Sequence, residues 1–220
     1  MLREELMALA EPENRAFLIK LLPNLAEDTI LGVRTPALRA LAKRVPDPEA
    51  FLRALPHETF EENQLHSFLL AGEGDFDRAL AEVEAFLPYV DNWATCDQLR
   101  LPVFRKHKTR LLPHIRRWLE SEHPYTLRFA IETLMLCYLD GDFSPEYPRM
   151  VAAVSNEDYY VRMMQAWYFA EALVRQRDAV MPWLREGRLS LWVHNKAIQK
   201  ATESRRISPE DKALLRSWKR

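Results

Sequence analysis

TPALRALAKRV, residues 35–45, decides the fold. Thr35 reads as an N-cap and Pro36 as the first helical residue, the position where a missing N–H costs nothing. Leu38, Leu41, Ala42 and Val45 then recur at intervals of three and four, so they share one face of a helix. The same grammar returns in SPEYPRMVAAV (144–154), with Ser144 and Pro145, and in SPEDKALLRSW (208–218), where Ser208, Pro209 and Asp211 form a capping-box-like start. With 14 Pro against only 5 Gly, the chain has the means to stop and start helices but few of the tight turns that hairpins need. Period-two alternation is missing, so the chain reads as all-α.

Helix starts fall near Asp91, Pro124, Asn156 or Glu157, and Ser190, an interval of roughly 33 residues of the kind shown by arrays of paired helices. Partner helices are expected near 107–120, 145–154 and 178–186. Helix pairs stacked in this way share a core and line one concave wall with one helix of each pair. No Gly- or Ser-rich linker divides the chain, so residues 1–220 are expected to form a single domain, an all-α solenoid of stacked helix pairs.

Composition narrows the function classes. Hydrophobic residues make up 48% and charged residues 29%, ordinary values for a globular chain. Cys96 and Cys137 lack CxxC or Cys/His spacing, which argues against a zinc site or a disulfide framework. MLREELMALAEPENR mixes acids with bases and has no uninterrupted apolar stretch, so it does not read as a signal peptide, and no run is long enough to span a bilayer. A cytoplasmic protein is expected. The net charge of −1 conceals a split: Glu58 to Asp91 holds nine acids against Arg78 alone, whereas Arg100 to Arg117 holds seven bases and no acid. A locally basic surface is therefore compatible with a neutral total, as phosphate binding requires; oppositely charged solvated helix faces would look the same.

Helices starting near 91, 124, 157 and 190 would line the wall with WATCD (93–97), YTLRFAIETL (125–134), YYVRMMQAWYF (159–169) and LWVHNKAIQKA (191–201). These supply Trp93, Tyr125, Tyr159, Tyr160, Trp167 and Trp192 together with Arg128, Arg162, Lys196 and Lys200. Aromatic planes interleaved with cations suit a sugar-phosphate backbone or stacked bases, although each ring taken alone is commonly packing. In VDNWATCDQL (90–99), Trp93 and Asp97 stand four apart, so a helix would place an indole and a carboxylate side by side. Composition alone allows Asp97 to be a surface carboxylate paired with Arg100 or Arg128. His66 and His194 read as structural histidines, and no phosphate loop, nucleotide fingerprint or metal constellation is present.

LGVRTPALRALAK (31–43), NWATCD, YTLRFAIETL, YYVRMMQAW and HNKAIQKA (194–201), in that order and at those intervals, resemble the HEAT-like repeat DNA alkylation repair proteins of the AlkD type. The resemblance extends from about residue 28 to the C-terminus. It implies a right-handed superhelical solenoid and a DNA glycosylase, a hydrolase that releases cationic N-alkylated purines such as 3-methyladenine and 7-methylguanine. It also implies that no metal or organic cofactor is needed. Position by position, Trp93 would lie against the DNA backbone near the lesion, Asp97 would be the catalytic carboxylate, Arg128 would hold a phosphate, and Trp167 would add a second aromatic contact. The expected partner is double-stranded DNA carrying alkylated bases, with no membrane, and the expected state is a monomer. A non-catalytic HEAT-like scaffold for altered DNA structures or for a protein stays open beside this reading. One departure concerns LIKLLPNLAEDTI (18–30), where Pro23 is expected to break or shorten the N-terminal helical element that holds DNA in such proteins.

Overall fold

A computed structural model describes residues 2–220. Its helices fall into two compact units, one ending at Lys106 and the other beginning at His107. The first holds α1 (Leu2–Ala8), α2 (Pro12–Leu21), α3 (Thr35–Ala42), α4 (Pro48–Arg53), α5 (Phe60–Leu70), α6 (Phe76–Phe86), α7 (Trp93–Cys96) and α8 (Pro102–Lys106). The second holds α9 (Lys108–Trp118), α10 (Pro124–Cys137), α11 (Glu146–Ala153), α12 (Tyr159–Arg175), α13 (Arg177–Arg185), α14 (Leu191–Glu203) and α15 (Pro209–Ser217). No strand occurs among the described residues, apart from an isolated bridge between Ala10 and Val33. The protein is all-α.

α3 carries the expected face: Leu38, Leu41 and Val45 are buried with Leu6, Val33 and Leu65. Its start differs by one residue from the sequence reading. The helix includes Thr35, and Arg34 stands at the N-cap without a side-chain cap. Pro23 lies beyond the C-cap Leu22 of α2, so it follows the helix and does not break it. At α15 the expected cap is present, Ser208 Oγ accepting from the Asp211 N–H at 3.1 Å. A full capping box that the sequence reading passed over opens α5, where the Glu62 N–H donates to Thr59 Oγ1 and the Thr59 N–H donates to the Glu62 carboxylate at 2.9 Å.

The first unit is arranged around α5, against which α3, α4, α6 and α7 pack. Its most consequential buried group is Glu61, which has no accessible surface. The Glu61 carboxylate accepts backbone N–H groups from Leu31 at 3.0 Å, Gly32 at 2.7 Å and Val33 at 3.2 Å. From the other side the Gly32 carbonyl accepts from the Asn14 side chain at 3.0 Å and from the Glu11 N–H at 3.1 Å, and Arg15 Nε donates to the Ile30 carbonyl at 2.8 Å. Gly32 has φ +98°, and a Cβ there would come within 2.8 Å of both the Glu11 carbonyl and the Arg15 backbone nitrogen. Only glycine fits this close approach.

His66, also on α5, is fully buried and stacks on Phe86 at 3.8 Å between centroids, with Nδ1 at 2.9 Å from His57 Nε2. Burial, reinforced by His57, depresses its pKa to about 3. Burial also lowers that of His57, against the opposing influence of Glu62. The sequence reading of His66 as structural agrees with this setting.

In the second unit α10, α12 and α14 form one row of neighbouring helices, each with an outer partner: α9 packs on α10, α11 and α13 on α12, and α15 on α14. The row is parallel, because equivalent ends meet. At the N-terminal ends Tyr125 lies 6.0 Å from Tyr160 and Tyr159 lies 5.7 Å from Trp192, ring to ring. At the C-terminal ends Gln176 donates to the Leu139 and Asp140 carbonyls, and Arg206 pairs with Glu171. Phe129, Leu134, Met164, Phe169, Val193 and Ile198 fill the core between these helices. The observed starts at Trp93, Pro124, Tyr159 and Leu191 match the interval read from sequence, and the outer helices match the expected partner segments. The prolines are not all punctuation, however. Pro113 and Pro182 lie inside α9 and α13, and Pro148 lies in the first turn of α11, the last being a place where its missing N–H leaves no gap.

Two outcomes follow. Gly32→Ala is expected to lower stability by about 1–3 kcal/mol, read from denaturant unfolding, with an unchanged midpoint contradicting the strained loop. For His66 the folded-state pKa lies below the unfolded value of 6.5, so its contribution is fully present above pH 6.5 and is lost as pH falls towards 3. Between pH 6.5 and pH 5 the wild type should lose about 2 kcal/mol, and His66→Gln should show a shallower pH dependence in the same measurement.

Candidate functional site

Within the first unit the candidate chemistry sits on the shortest α-helix. α7 is a single turn from Trp93 to Cys96, with Asp97 as its C-cap and the Asp97 N–H donating to the Trp93 carbonyl at 2.9 Å. Trp93 and Asp97 thus stand on one face, as their spacing suggested. A helix of this length has no stability of its own, so its neighbours must hold it. Asn92 caps it, Oδ1 accepting from the Thr95 N–H at 2.8 Å. Thr95 Oγ1 accepts from Gln64 Nε2 and from Asn92 Nδ2, each at 3.0 Å, and the Thr95 carbonyl accepts from Ser67 Oγ at 3.3 Å. Asn92, Thr95, Gln64 and Ser67 are all buried, so this network is shielded from competing water. Trp93 packs on the apolar cluster of Leu22, Ile30 and Phe60. In the turn that Pro23 creates, Asn24 Nδ2 donates to the Asp91 carbonyl at 2.6 Å, which fixes the approach to α7. Trp93 and Asp97 are both half-buried.

Within the second unit the first turns of α10, α12 and α14 bring most of the other candidates together. Tyr125 is buried against Tyr160, while Tyr159 is 50% exposed and meets Tyr160 and Trp192 edge-on. The Arg162 guanidinium lies 5.1 Å from the Trp192 ring centre and the Lys196 ammonium 5.5 Å, two cations on one indole. Arg162 also pairs with Glu157 at 2.8 Å, and its Nε is buried without a hydrogen-bond partner. Lys196 donates to Gln199 at 3.0 Å, and Lys200 pairs with Glu203 at 2.9 Å, one turn further along α14. Burial raises the pKa of Tyr160, an effect increased by Tyr159 and Asp158 and opposed by Arg128.

Arg128 is the exception to the open surface. It is 1% exposed, donates to the Tyr160 carbonyl at 2.7 Å and lies 5.4 Å from the half-buried Trp167 ring. In the structure it ties α10 to the start of α12 and sets Trp167 against a fixed charge. Part of the basic run is also engaged: Lys108 contacts Asp140 at 3.1 Å and Asp142 at 2.5 Å, and Arg116 pairs with Glu146 at 2.9 Å. His194, read as structural, has Nε2 at 2.8 Å from the Trp218 carbonyl.

Sequence reasoning missed the residues that position α7. Asn92 could have been found, since an Asn three residues before a Thr in front of a short apolar turn is an N-cap signal. Gln64 and Ser67 carried no such signal, because their role depends on α5 lying beside α7. Glu132, buried on α10 one turn after Arg128, was also overlooked; a carboxylate in a largely apolar helix was the clue.

Thr95→Val removes the hydroxyl that Gln64 and Asn92 share while nearly keeping its volume. It is expected to cost about 1–3 kcal/mol in an unfolding titration, and a neutral result would show that the network does not hold α7. A search of curated proteins returns no match to the chain. The family model of DNA alkylation repair enzymes matches residues 2–207, a span that contains α7 and the aromatic first turns of α10, α12 and α14. With nearly its whole length matched, the chain belongs to the DNA alkylation repair enzyme family.

Proposed function

We propose that the protein is a DNA glycosylase that releases cationic N-alkylated purines, 3-methyladenine and 7-methylguanine among them, from duplex DNA. The observation that carries this reading is Trp93 and Asp97 on one helical turn, held by a buried polar network, in a chain of the DNA alkylation repair enzyme family. N-alkylation makes the purine a good leaving group. The C1′–N bond breaks with its electron pair returning to the base, which becomes neutral, and the sugar acquires oxocarbenium character. The Asp97 carboxylate stabilises that cation and orients the water whose oxygen bonds to C1′ while its proton departs. A positioned charge of this sort is worth on the order of 10² to 10³ in rate. Trp93 flanks the sugar, adding cation–π attraction and excluding water.

In this reading Tyr159, Arg162, Lys196 and Lys200 serve DNA binding in the second unit, while the buried Tyr125 supports Tyr160 and Arg128 keeps Trp167 and the start of α12 in place for the same purpose. The protein works as a monomer in the cytoplasm without a metal or organic cofactor. Its net charge of −1 means that DNA affinity rests on local cations and falls as salt rises.

The deciding experiment measures release of 3-methyladenine and 7-methylguanine from methylated duplex DNA at low salt. Wild-type protein should release both, and Asp97→Asn should reduce release by about 10²-fold or more with its unfolding curve unchanged. Equal release by both proteins would remove Asp97 from the chemistry. Release by neither would favour the non-catalytic scaffold.

A further inference from the structure

The exposed aromatic step on the second unit is more specific than a general DNA contact. Tyr159 is 50% exposed, yet its ring is fixed by two perpendicular neighbours: Tyr160 at 5.3 Å and 84°, and Trp192 at 5.7 Å and 75°. A tyrosine held this firmly at a surface loses little entropy on binding, and edge-on packing is a favourable aromatic geometry. Leu191, the residue before Trp192, is 54% exposed and adds apolar surface at the start of α14. The cations keep to Trp192, where Arg162 and Lys196 lie within 5.5 Å of the ring centre. Arg162 keeps a buried Nε donor without a partner, next to a small pocket lined also by Asn156, Gln165, Ser190 and Val193.

Intact duplex offers an aromatic surface little to stack on, because its base faces are already stacked. An unpaired nucleotide offers both a free π-face and a phosphate. We infer that the Tyr159–Trp192 step is a stacking platform for an unpaired nucleotide in the bound DNA, the base lying on Tyr159 and its phosphate meeting Arg162 and Lys196. The inference rests on the reading that the chain acts on DNA and adds what that reading leaves open, a preference for DNA with a displaced base over perfectly paired duplex. Charge favours this occupant over an apolar protein segment: Lys196 and Arg162, the latter paired with Glu157 yet keeping a buried Nε donor without a partner, stand at the Trp192 edge where the phosphodiester would lie.

The test compares two fluorescent duplexes of one sequence, fully paired and carrying a single-nucleotide bulge, by anisotropy at low salt. Wild-type protein should bind the bulged duplex about tenfold more tightly, the size expected for one base stacked on one ring. Tyr159→Phe should keep the preference. Tyr159→Ala should bring the affinity for the bulged duplex down to that for the paired one, and Lys196→Gln should weaken binding to both. Equal wild-type affinity for the two duplexes, a preference that survives Tyr159→Ala, or binding to neither duplex would each overturn the proposal. Base release by the same variants separates the two readings. Release without bulge preference leaves the glycosylase standing and removes the platform, whereas bulge preference without release keeps the platform and removes the catalytic assignment.

Discussion

Short helices leave many loose ends, and satisfying those ends is the constraint that organises this protein. Each helix exposes unpaired N–H groups at its start and carbonyls at its finish, and an array of short helices has far more of them per residue than a fold built from long ones. The chain answers with buried polar side chains reaching from one helix to the backbone of another. Glu61 takes three N–H groups of the loop before α3. Gln165 donates to the Val151 and Val154 carbonyls at the end of α11 and Arg128 to the Tyr160 carbonyl, while the half-buried Gln176 donates to the Leu139 and Asp140 carbonyls. Buried Glu, Gln and Arg would be costly in an ordinary core; here each is matched to groups that would otherwise be unsatisfied.

The same device supports the candidate chemistry. α7 is too short to persist alone, and its carboxylate is useful only if it stays put, since small displacements of a reacting group cost large factors in rate. Its rigidity is borrowed from α5, whose buried polar face holds Thr95 while its other residues anchor the rest of the first unit. Apolar support comes from Leu22, Ile30 and Phe60 under Trp93. Stability and site geometry are thus tied to one helix.

What the sequence revealed, and what it hid, follows from this arrangement. Helix starts and partners were legible because they depend on local signals: the Pro after Ser or Thr, the three-and-four spacing of Leu38, Leu41 and Val45, the recurring interval between first turns. The pairing of Trp93 with Asp97 was legible for the same reason, being a matter of one helical turn. The roles of Gln64, Ser67 and Glu61 were not, since polar residues on α5 look like a solvated face until the neighbouring helices are in place. Arg128 shows the other limit. Its position in the pattern was visible, but its near-complete burial against Tyr160 and Trp167 was not, because burial is decided by elements more than thirty residues away.

The prolines of the outer helices carry a consequence for how such a chain varies over evolution. Pro113, Pro148 and Pro182 recur at nearly even intervals, each in the outer helix of its pair, so they mark the phase of the repeat as notches mark a ruler. A residue inserted within one of these helices would rotate every later side chain on it by about 100° and carry its proline off the face that tolerates it. Connections such as 139–145 and 186–190 impose no such phase. Gains and losses of length among descendants of this sequence should therefore collect in those connections, leaving the distance from each proline to its helix unchanged.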